Sequence, residues 1–124
     1  KAAKEAYEMA GIGPQDLDLV ELHDCFATAE LLHYGNLNLC KDEDAGKMLD
    51  EGHFDLGGTT PVNVSGGLLS KGHPLGATGI ANIYEVCTHL RGEAGDRQVE
   101  GARLGLTHVI GLGSACGIHI LEKV

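Results

Sequence analysis

The sequence predicts an α/β domain, with a mixed sheet and helices on both of its faces. Helical and extended patterns alternate along residues 1–91, and two apolar stretches, Leu104–Ile110 and Cys116–Leu121, follow with only a glycine-rich turn between them. The alternation is typical of strands connected through helices, whereas the final pair is typical of an antiparallel hairpin. We therefore expect the order helix, strand, helix, strand, helix, strand, strand.

The N-terminal half supplies two of these helices and one strand. Residues 1–11 predict an amphipathic helix that ends at a glycine, and the short, partly alternating stretch Leu17–Leu22 predicts a buried strand. Apolar residues at helical spacing predict a helix of about three turns within residues 23–37. Residues 40–60 are charged and rich in glycine, so we expect a path over the surface, with a short helix around Ala45–Glu51.

The C-terminal half supplies the remaining helix and strands. Pro61–Val64 predict a short strand, and a glycine-rich loop then leads into a helix over Pro74–Arg91. Proline suits the first helical position, because the amide hydrogen that it lacks would have no intrahelical partner there. A polar loop over residues 92–102 then leads to the hairpin.

Composition limits the classes of function. With 124 residues, 43% of them hydrophobic, the chain can bury one small core. Its formal net charge of −9 argues against nucleic acid or an anionic membrane as the main partner, and no apolar run is long enough to span a membrane.

The sequence does not start with methionine, so we expect it to be part of a longer protein. Without an SKL-type ending we expect a cytoplasmic location, or a peroxisomal one as the alternative in a eukaryote.

The cysteines predict neither a zinc site nor a disulfide framework. Cys25, Cys40, Cys87 and Cys116 form no CxxC pair, so we expect no metal site. Nothing in the sequence indicates export, and cysteines of proteins that stay inside the cell are usually reduced.

The stretch NVSGGLLSKGHPLGATG, residues 63–79, contains the first candidate for chemistry. His73 precedes the proline that we expect to begin a helix, and the positive end of the helix dipole favours a neutral imidazole that can take or share a proton. The run lacks the GK[ST] ending of a phosphate-binding loop. The alternative is a purely structural turn, with Lys71 a solvated loop charge.

The tetrapeptide HDCF, His23–Phe26, contains the second candidate. It follows a predicted strand, at the carboxyl end where α/β sheets place ligands. A cysteine in the first turn of a helix has a stabilised thiolate, so Cys25 is a candidate for a reactive thiol. In the alternative, Cys25 is a small buried hydrophobe and Asp24 is the N-cap of the helix.

The turn GLGSACG, residues 111–117, is the third candidate. Its backbone N–H groups can face a substrate oxygen, as in an oxyanion hole, or the segment is only a hairpin turn. The remaining histidines show no ligand-like spacing, and we expect them to be surface or packing residues: His33, His53, His89, His108 and His119.

Together, these segments resemble the thiolases. NVSGGLLSKGHPLGATG resembles the thiolase stretch that contains a Gly-His-Pro histidine, and ELHDCF resembles the corresponding loop of the sterol carrier protein type thiolases. RGEAGDRQVEGARLGLTHVIGLGSACG is similar to the C-terminal segment of the same subfamily. The resemblance covers nearly all of residues 1–124 and implies the C-terminal half of the duplicated αβαβα thiolase fold.

The resemblance also implies an activity and roles for residues. Thiolases condense or cleave acyl-CoA thioesters through an acyl-cysteine whose nucleophile lies in the N-terminal half. By motif, His73 would activate that nucleophile and help to hold the thioester oxygen, and Cys25 would be the acid/base at the substrate α-carbon. His23 stands where most thiolases have an asparagine of the oxyanion hole. Substrate contacts are expected at these four positions: Ser65, Gly66, Gly72 and Gly113.

The implied partners are acyl-CoA or CoA as substrate rather than cofactor, an N-terminal thiolase half, and a second copy in a homodimer.

Two features depart from the family pattern. The hairpin has Gly111-Leu112-Gly113 where most thiolases have a C-x-G cysteine, and Val109 replaces the asparagine common in the subfamily. Two other hypotheses stay open: a thiolase-like aldolase or acyl-CoA-binding paralogue without the nucleophile, and a non-catalytic interaction module.

Overall fold

The computed structural model describes residues 1–112 and 114–124, and three of its strands form one mixed sheet. Strand β1 (Leu19–Glu21) runs parallel to β2 (Leu104–Gly111), and β2 pairs antiparallel with β3 (Ala115–Glu122). The strand order is β1–β2–β3, which confirms the mixed sheet. Strand β1 lies at one edge, so its carboxyl end opens beside that of β2.

Five α-helices surround this sheet in the described ranges. They are α1 (Ala2–Ala10), α2 (Ala27–Asn36), α3 (Ala45–Asp50), α4 (Gly67–Lys71) and α5 (Thr78–Arg91). Short 3₁₀ turns occupy Pro14–Asp16, Asp42–Asp44 and Gly95–Arg97. None of the helices described here combines the length and the apolar character that crossing a bilayer requires.

Successive residues of β1 point to opposite faces of the sheet, and each face has its own core. Leu19 packs with Val86 and Leu90 of α5, whereas Val20 packs with Tyr7 of α1 and with residues of α2 and α3. The prediction of helices on both faces is therefore confirmed.

Helix α5 can lie close to the sheet because β2 has a glycine, Gly105, where the helix packs against it. A β-carbon built on Gly105 would lie 2.5 Å from Cγ1 of Val86 and 3.0 Å from Cδ2 of Leu19. Only a residue without a side chain leaves room for this helix–sheet distance.

Two of the predicted elements differ from the structure. The strand expected over Pro61–Val64 is reduced to a single parallel bridge between Val62 and Val20. The backbone leaves the extended conformation at Asn63, where φ is 51°. Instead of a strand, the Asn63 side chain accepts the N–H of Leu22 at 2.8 Å.

The last helix begins four residues later than predicted. Pro74 is not its first residue. The carbonyl of Pro74 closes a turn by accepting the N–H of Ala77 at 3.0 Å, and α5 starts at Thr78. Helix α4 was not predicted, because its N-cap Gly66, with φ 93°, and its first residue Gly67 belong to a glycine run that was interpreted as loop.

Candidate active site

His73 lies in the connection between α4 and α5, near the start of α5 although not at it. Residues 71–77 are exposed, and Gly72 ends α4 with a φ of 89°. The Nδ1 atom of His73 is 2.6 Å from Oγ1 of Thr78, the first residue of α5. The prediction that His73 sits at the helix N-terminus is wrong for its backbone, but its ring reaches that turn.

His23 is buried at the carboxyl end of β1 and contacts His73. The two ring centroids are 4.8 Å apart, with the planes at 85° to each other. The pKa of His23 is lowered, first by burial and then by the neighbouring His73 and His33, while Asp24 acts in the opposite direction. His23 is therefore a neutral imidazole at neutral pH.

Cys25 opens onto the same cavity as these two histidines. The cavity has a volume of about 880 Å³, and Cys25, His23, His33, His73 and Thr78 lie on its polar side. The structure thus brings together the three residues predicted to be catalytic. Cys25 and His73 are 48 residues apart in the sequence.

Two details of the HDCF loop differ from the predictions. Helix α2 starts at Ala27 with Phe26 as its N-cap, so Cys25 precedes the helix rather than lying in its first turn. Asp24 is not the N-cap of α2. Its Oδ1 accepts the backbone N–H of Leu68 at 2.7 Å and thus caps α4, so the HDCF loop is tied to the glycine-rich loop.

The hairpin and the segment after Pro74 form an apolar side of the cavity. These residues lie on it: Leu75, Val109, Ile110, Leu112 and Ala115. Val109 occupies the space next to two glycines, since a β-carbon on Gly79 or Gly117 would lie 3.4 or 3.3 Å from its Cγ1. The hairpin thus lies beside the predicted catalytic residues.

His33 and His108 were predicted to be surface or packing residues, and the structure places both beside the site. Their ring centroids are 4.6 Å apart, and Nδ1 of His108 lies 3.5 Å from the backbone N of His23. Burial, followed by His33 and His23, lowers the pKa of His108 to about 4, and burial lowers that of His33. We call His23, His33, His73 and His108 the histidine cluster. The only sequence signal for His108 is its place just before the hairpin turn.

The glycine-rich loop is anchored by a buried carboxylate below it. Glu21 is fully buried, and its Oε2 accepts the Ser65 hydroxyl at 2.7 Å and lies 3.1 Å from Nζ of Lys71. Burial raises the pKa of Glu21, and Lys71 opposes that shift. Lys71 is therefore ion-paired with a buried carboxylate and is not a solvated loop charge.

Of the four residues predicted to contact substrate, the three that the structure describes do not lie on the cavity wall. The Ser65 hydroxyl is engaged by Glu21 and by Nζ of Lys71 at 2.7 Å. Gly66 and Gly72 flank α4 and lie outside the set of residues that form the cavity wall. Gly113 lies outside the described residues. Substrate contact at these positions stays a prediction.

The arrangement offers defined chemistry. A thiol and three imidazoles face one cavity. An exposed imidazole with one ring nitrogen hydrogen-bonded can exchange a proton at the other nitrogen. Donor groups around a cavity with an apolar side can also stabilise an oxyanion.

Comparison with known proteins gives the family. The family model "Thiolase C-terminal domain-like" matches residues 1–123. Sterol carrier protein 2 of Rattus norvegicus is 55% identical over 115 residues, which are 93% of this chain and 21% of that protein. An acetyl-CoA acetyltransferase of Methanothermobacter thermautotrophicus is 48% identical over 123 residues, 98% of this chain and 32% of that protein.

A solved structure shows the same fold. The "Ltp2-ChsH2(DUF35) aldolase" superposes with a TM-score of 0.86 at 22% sequence identity, over 98% of this chain and 31% of that one. The chain thus spans between a fifth and a third of the length of the proteins that it matches. With a family model that covers all but the last residue, the chain belongs to the thiolase C-terminal domain-like family.

Proposed function

We propose that this chain provides the acid/base cysteine and the thioester-binding histidine of an acyl-CoA thiolase. The observation that supports this most directly is that Cys25, His23 and His73 open onto one cavity, with the two imidazole rings in contact. The substrate is a coenzyme A thioester. The nucleophilic cysteine comes from an N-terminal thiolase half, and two copies of the whole protein assemble as a dimer.

In this proposal His73 takes the proton of the nucleophilic thiol. The resulting thiolate attacks the carbonyl carbon of an acyl-CoA, the bond from carbon to the CoA sulfur breaks, and CoA leaves with a proton as the acyl-cysteine forms. His73 is exposed and has Nδ1 engaged by Thr78, so its other ring nitrogen, Nε2, is the one available for this transfer.

Cys25 acts in the second half of the reaction. As a thiolate it removes a proton from the α-carbon of a second acyl-CoA, and the carbanion attacks the acyl-cysteine. A carbon–carbon bond forms, the carbon–sulfur bond to the nucleophile breaks, and a 3-ketoacyl-CoA is released. Thiolytic cleavage is the reverse sequence. His23, which burial keeps neutral, donates a hydrogen bond towards the enolate or thioester oxygen.

The test uses the full-length protein and acetoacetyl-CoA with CoA, following loss of the substrate enolate absorbance. Cys25→Ala and His73→Ala should each lower kcat by about 10²- to 10⁴-fold, the usual loss when a general acid or base is removed. Cys87→Ala is the matched control, since Cys87 lies on α5 away from this cavity and should keep full activity. Unchanged turnover in Cys25→Ala would contradict the proposed role.

The 124-residue chain alone should have no thiolase activity. None of its four cysteines lies in a segment that resembles the nucleophile loop of the family. Turnover of acetoacetyl-CoA by the purified chain, abolished by Cys25→Ala, would make Cys25 the nucleophile and overturn this assignment of roles.

The second candidate is a retro-aldol reaction on an acyl-CoA, which needs a base but no acyl-cysteine. The fold likeness to a protein named as an aldolase favours it. The two reactions separate in one experiment: a thiolase incubated with radiolabelled acyl-CoA retains label through acid precipitation, whereas a retro-aldolase does not.

A further inference from the structure

We propose that Thr78 is a positioning residue that fixes the tautomer of His73. The inference rests on the proposed role of His73 as proton acceptor. Thr78 is 3% exposed, and its Oγ1 lies 2.6 Å from Nδ1 of His73 and 3.2 Å from the carbonyl oxygen of Pro74. A threonine hydroxyl has one hydrogen to donate and two lone pairs to accept with.

The hydroxyl donates its single hydrogen to the Pro74 carbonyl, which also accepts the backbone N–H groups of Ala77 and Thr78. The hydroxyl then accepts, and the hydrogen between it and the imidazole belongs to Nδ1 of His73. In a neutral imidazole only one nitrogen carries a hydrogen, so Nε2 is left with a free lone pair. The buried threonine thereby selects the tautomer that can take a proton from a thiol at Nε2.

The backbone around this contact makes it specific to position 78. Gly72 at φ 89° ends α4, and Gly76 at φ 83° lies within the turn that starts at Pro74. These two left-handed residues direct the chain away from α4 and back into α5, so the side chain at the first position of α5 meets the ring five residues before it. A substituted alanine or valine at 78 would offer Nδ1 no acceptor.

Helix α5 contains a matched control. Thr88 is also buried, and its Oγ1 donates to the carbonyl of Tyr84 at 2.8 Å, the same bond to the residue four positions earlier that Thr78 makes with Pro74. Thr88 makes no contact with His73. Thr88→Val therefore removes the hydroxyl–carbonyl bond alone, whereas Thr78→Val removes that bond and the acceptor for Nδ1.

The first readout does not depend on activity. The full-length protein is labelled with ¹⁵N-histidine, and long-range ¹H–¹⁵N spectra report which ring nitrogen of His73 carries the hydrogen, with the His73 signals assigned by their loss in His73→Asn. We expect Nδ1–H in the wild type, in Thr78→Ser and in Thr88→Val, and a shift towards Nε2–H in Thr78→Val. An unchanged tautomer in Thr78→Val would overturn the inference.

The second readout is thiolase turnover by the same proteins. Loss of a hydrogen bond to a group that becomes charged should lower kcat by about ten- to hundredfold in Thr78→Val, with KM little changed. Thr78→Ser should restore most of it. An equal fall in Thr88→Val, or no rescue by serine, would overturn the inference by showing a general structural effect. A tautomer shift in a full-length protein without any thiolase activity would instead refute the proposed function and leave the Thr78–His73 contact supported.

Discussion

His108 is the most deeply buried member of the histidine cluster, at 3% exposed. Burial disfavours its charged form, and His33 and His23 beside it add repulsion if they too are protonated. Its Nδ1 faces the backbone N of His23 and therefore acts as an acceptor. Only a neutral His108 can accept at Nδ1, so we expect this contact to be lost when His108 is protonated.

The consequence is a loss of stability on acidification. The pKa of His108 in the folded chain is about 4, below the ordinary histidine value of 6.5, so between these two pH values the unfolded chain binds more protons than the folded one. Stability is therefore complete above about pH 6.5 and falls as the pH drops towards 4, by about 3 kcal/mol for this residue. His108→Gln should reduce the difference between urea unfolding at about pH 7.5 and about pH 5, and the part that remains comes from His23 and His33, whose pKa values burial also lowers.

The exposed His119 provides the control for that experiment. His119→Gln should leave the pH dependence as in the wild type, because this side chain is exposed on β3. A wild-type chain whose stability is the same at both pH values would contradict the prediction.

At the residue scale, the sequence predicted the side chains whose motifs are local and missed those that only the fold brings near. HDCF and GHP each stand at the end of an element, so Cys25 and His73 were visible as candidates. His33 and His108 belong to a helix and a strand with no motif around them. Asp24 and Thr78 were misinterpreted or overlooked because their partners, Leu68 and the His73 ring, follow from loop geometry rather than from spacing.

At the element scale, the space around two glycines predicts opposite effects of the same substitution. Gly105→Ala would place a β-carbon against Val86 and Leu19, and should destabilise the chain by about 1–3 kcal/mol through overpacking. Gly46 lies within α3 with nothing within 4 Å of its β-carbon position. Gly46→Ala should therefore stabilise the chain by up to about 1 kcal/mol. Urea unfolding of both variants measures these shifts, and a Gly105→Ala variant as stable as the wild type would refute the close approach of α5 to β2.

The elements themselves were predictable where side-chain periodicity alone decides them. The helix of α1, the short helix α3 and the final hairpin were predicted from pattern and turn residues. The start of α5 was not, because the rule for proline at a first helical position also fits a proline that begins a turn. Helix α4 was hidden by Gly66 and Gly67, whose left-handed conformations admit Asp24 so closely that a β-carbon on Gly67 would lie 2.0 Å from its Oδ2.

At the scale of the whole molecule, large apolar side chains are exposed around the cavity mouth and along α5. They are Phe26, Leu75, Ile80, Tyr84 and Leu112. Ile80 and Tyr84 stand one turn apart on α5, opposite the buried Val86 and Leu90. A stripe of this kind is normally covered by another surface. The proteins that the chain matches are several times its length, so we expect the N-terminal half of the proposed thiolase to cover this stripe.

The chain by itself should therefore self-associate through this apolar surface. Sedimentation of the 124-residue chain should show dimers or larger species, and a dye that fluoresces on apolar surfaces should bind to it. The double variant Ile80→Lys, Tyr84→Lys introduces charge where burial would be costly, and should sediment as a monomer. Leu56→Lys is the control, because Leu56 is exposed in the 51–60 segment, outside the cavity and α5, and should leave association unchanged. A compact wild-type monomer with little dye binding would show that the domain is complete as it stands and would favour an independent module over a thiolase half.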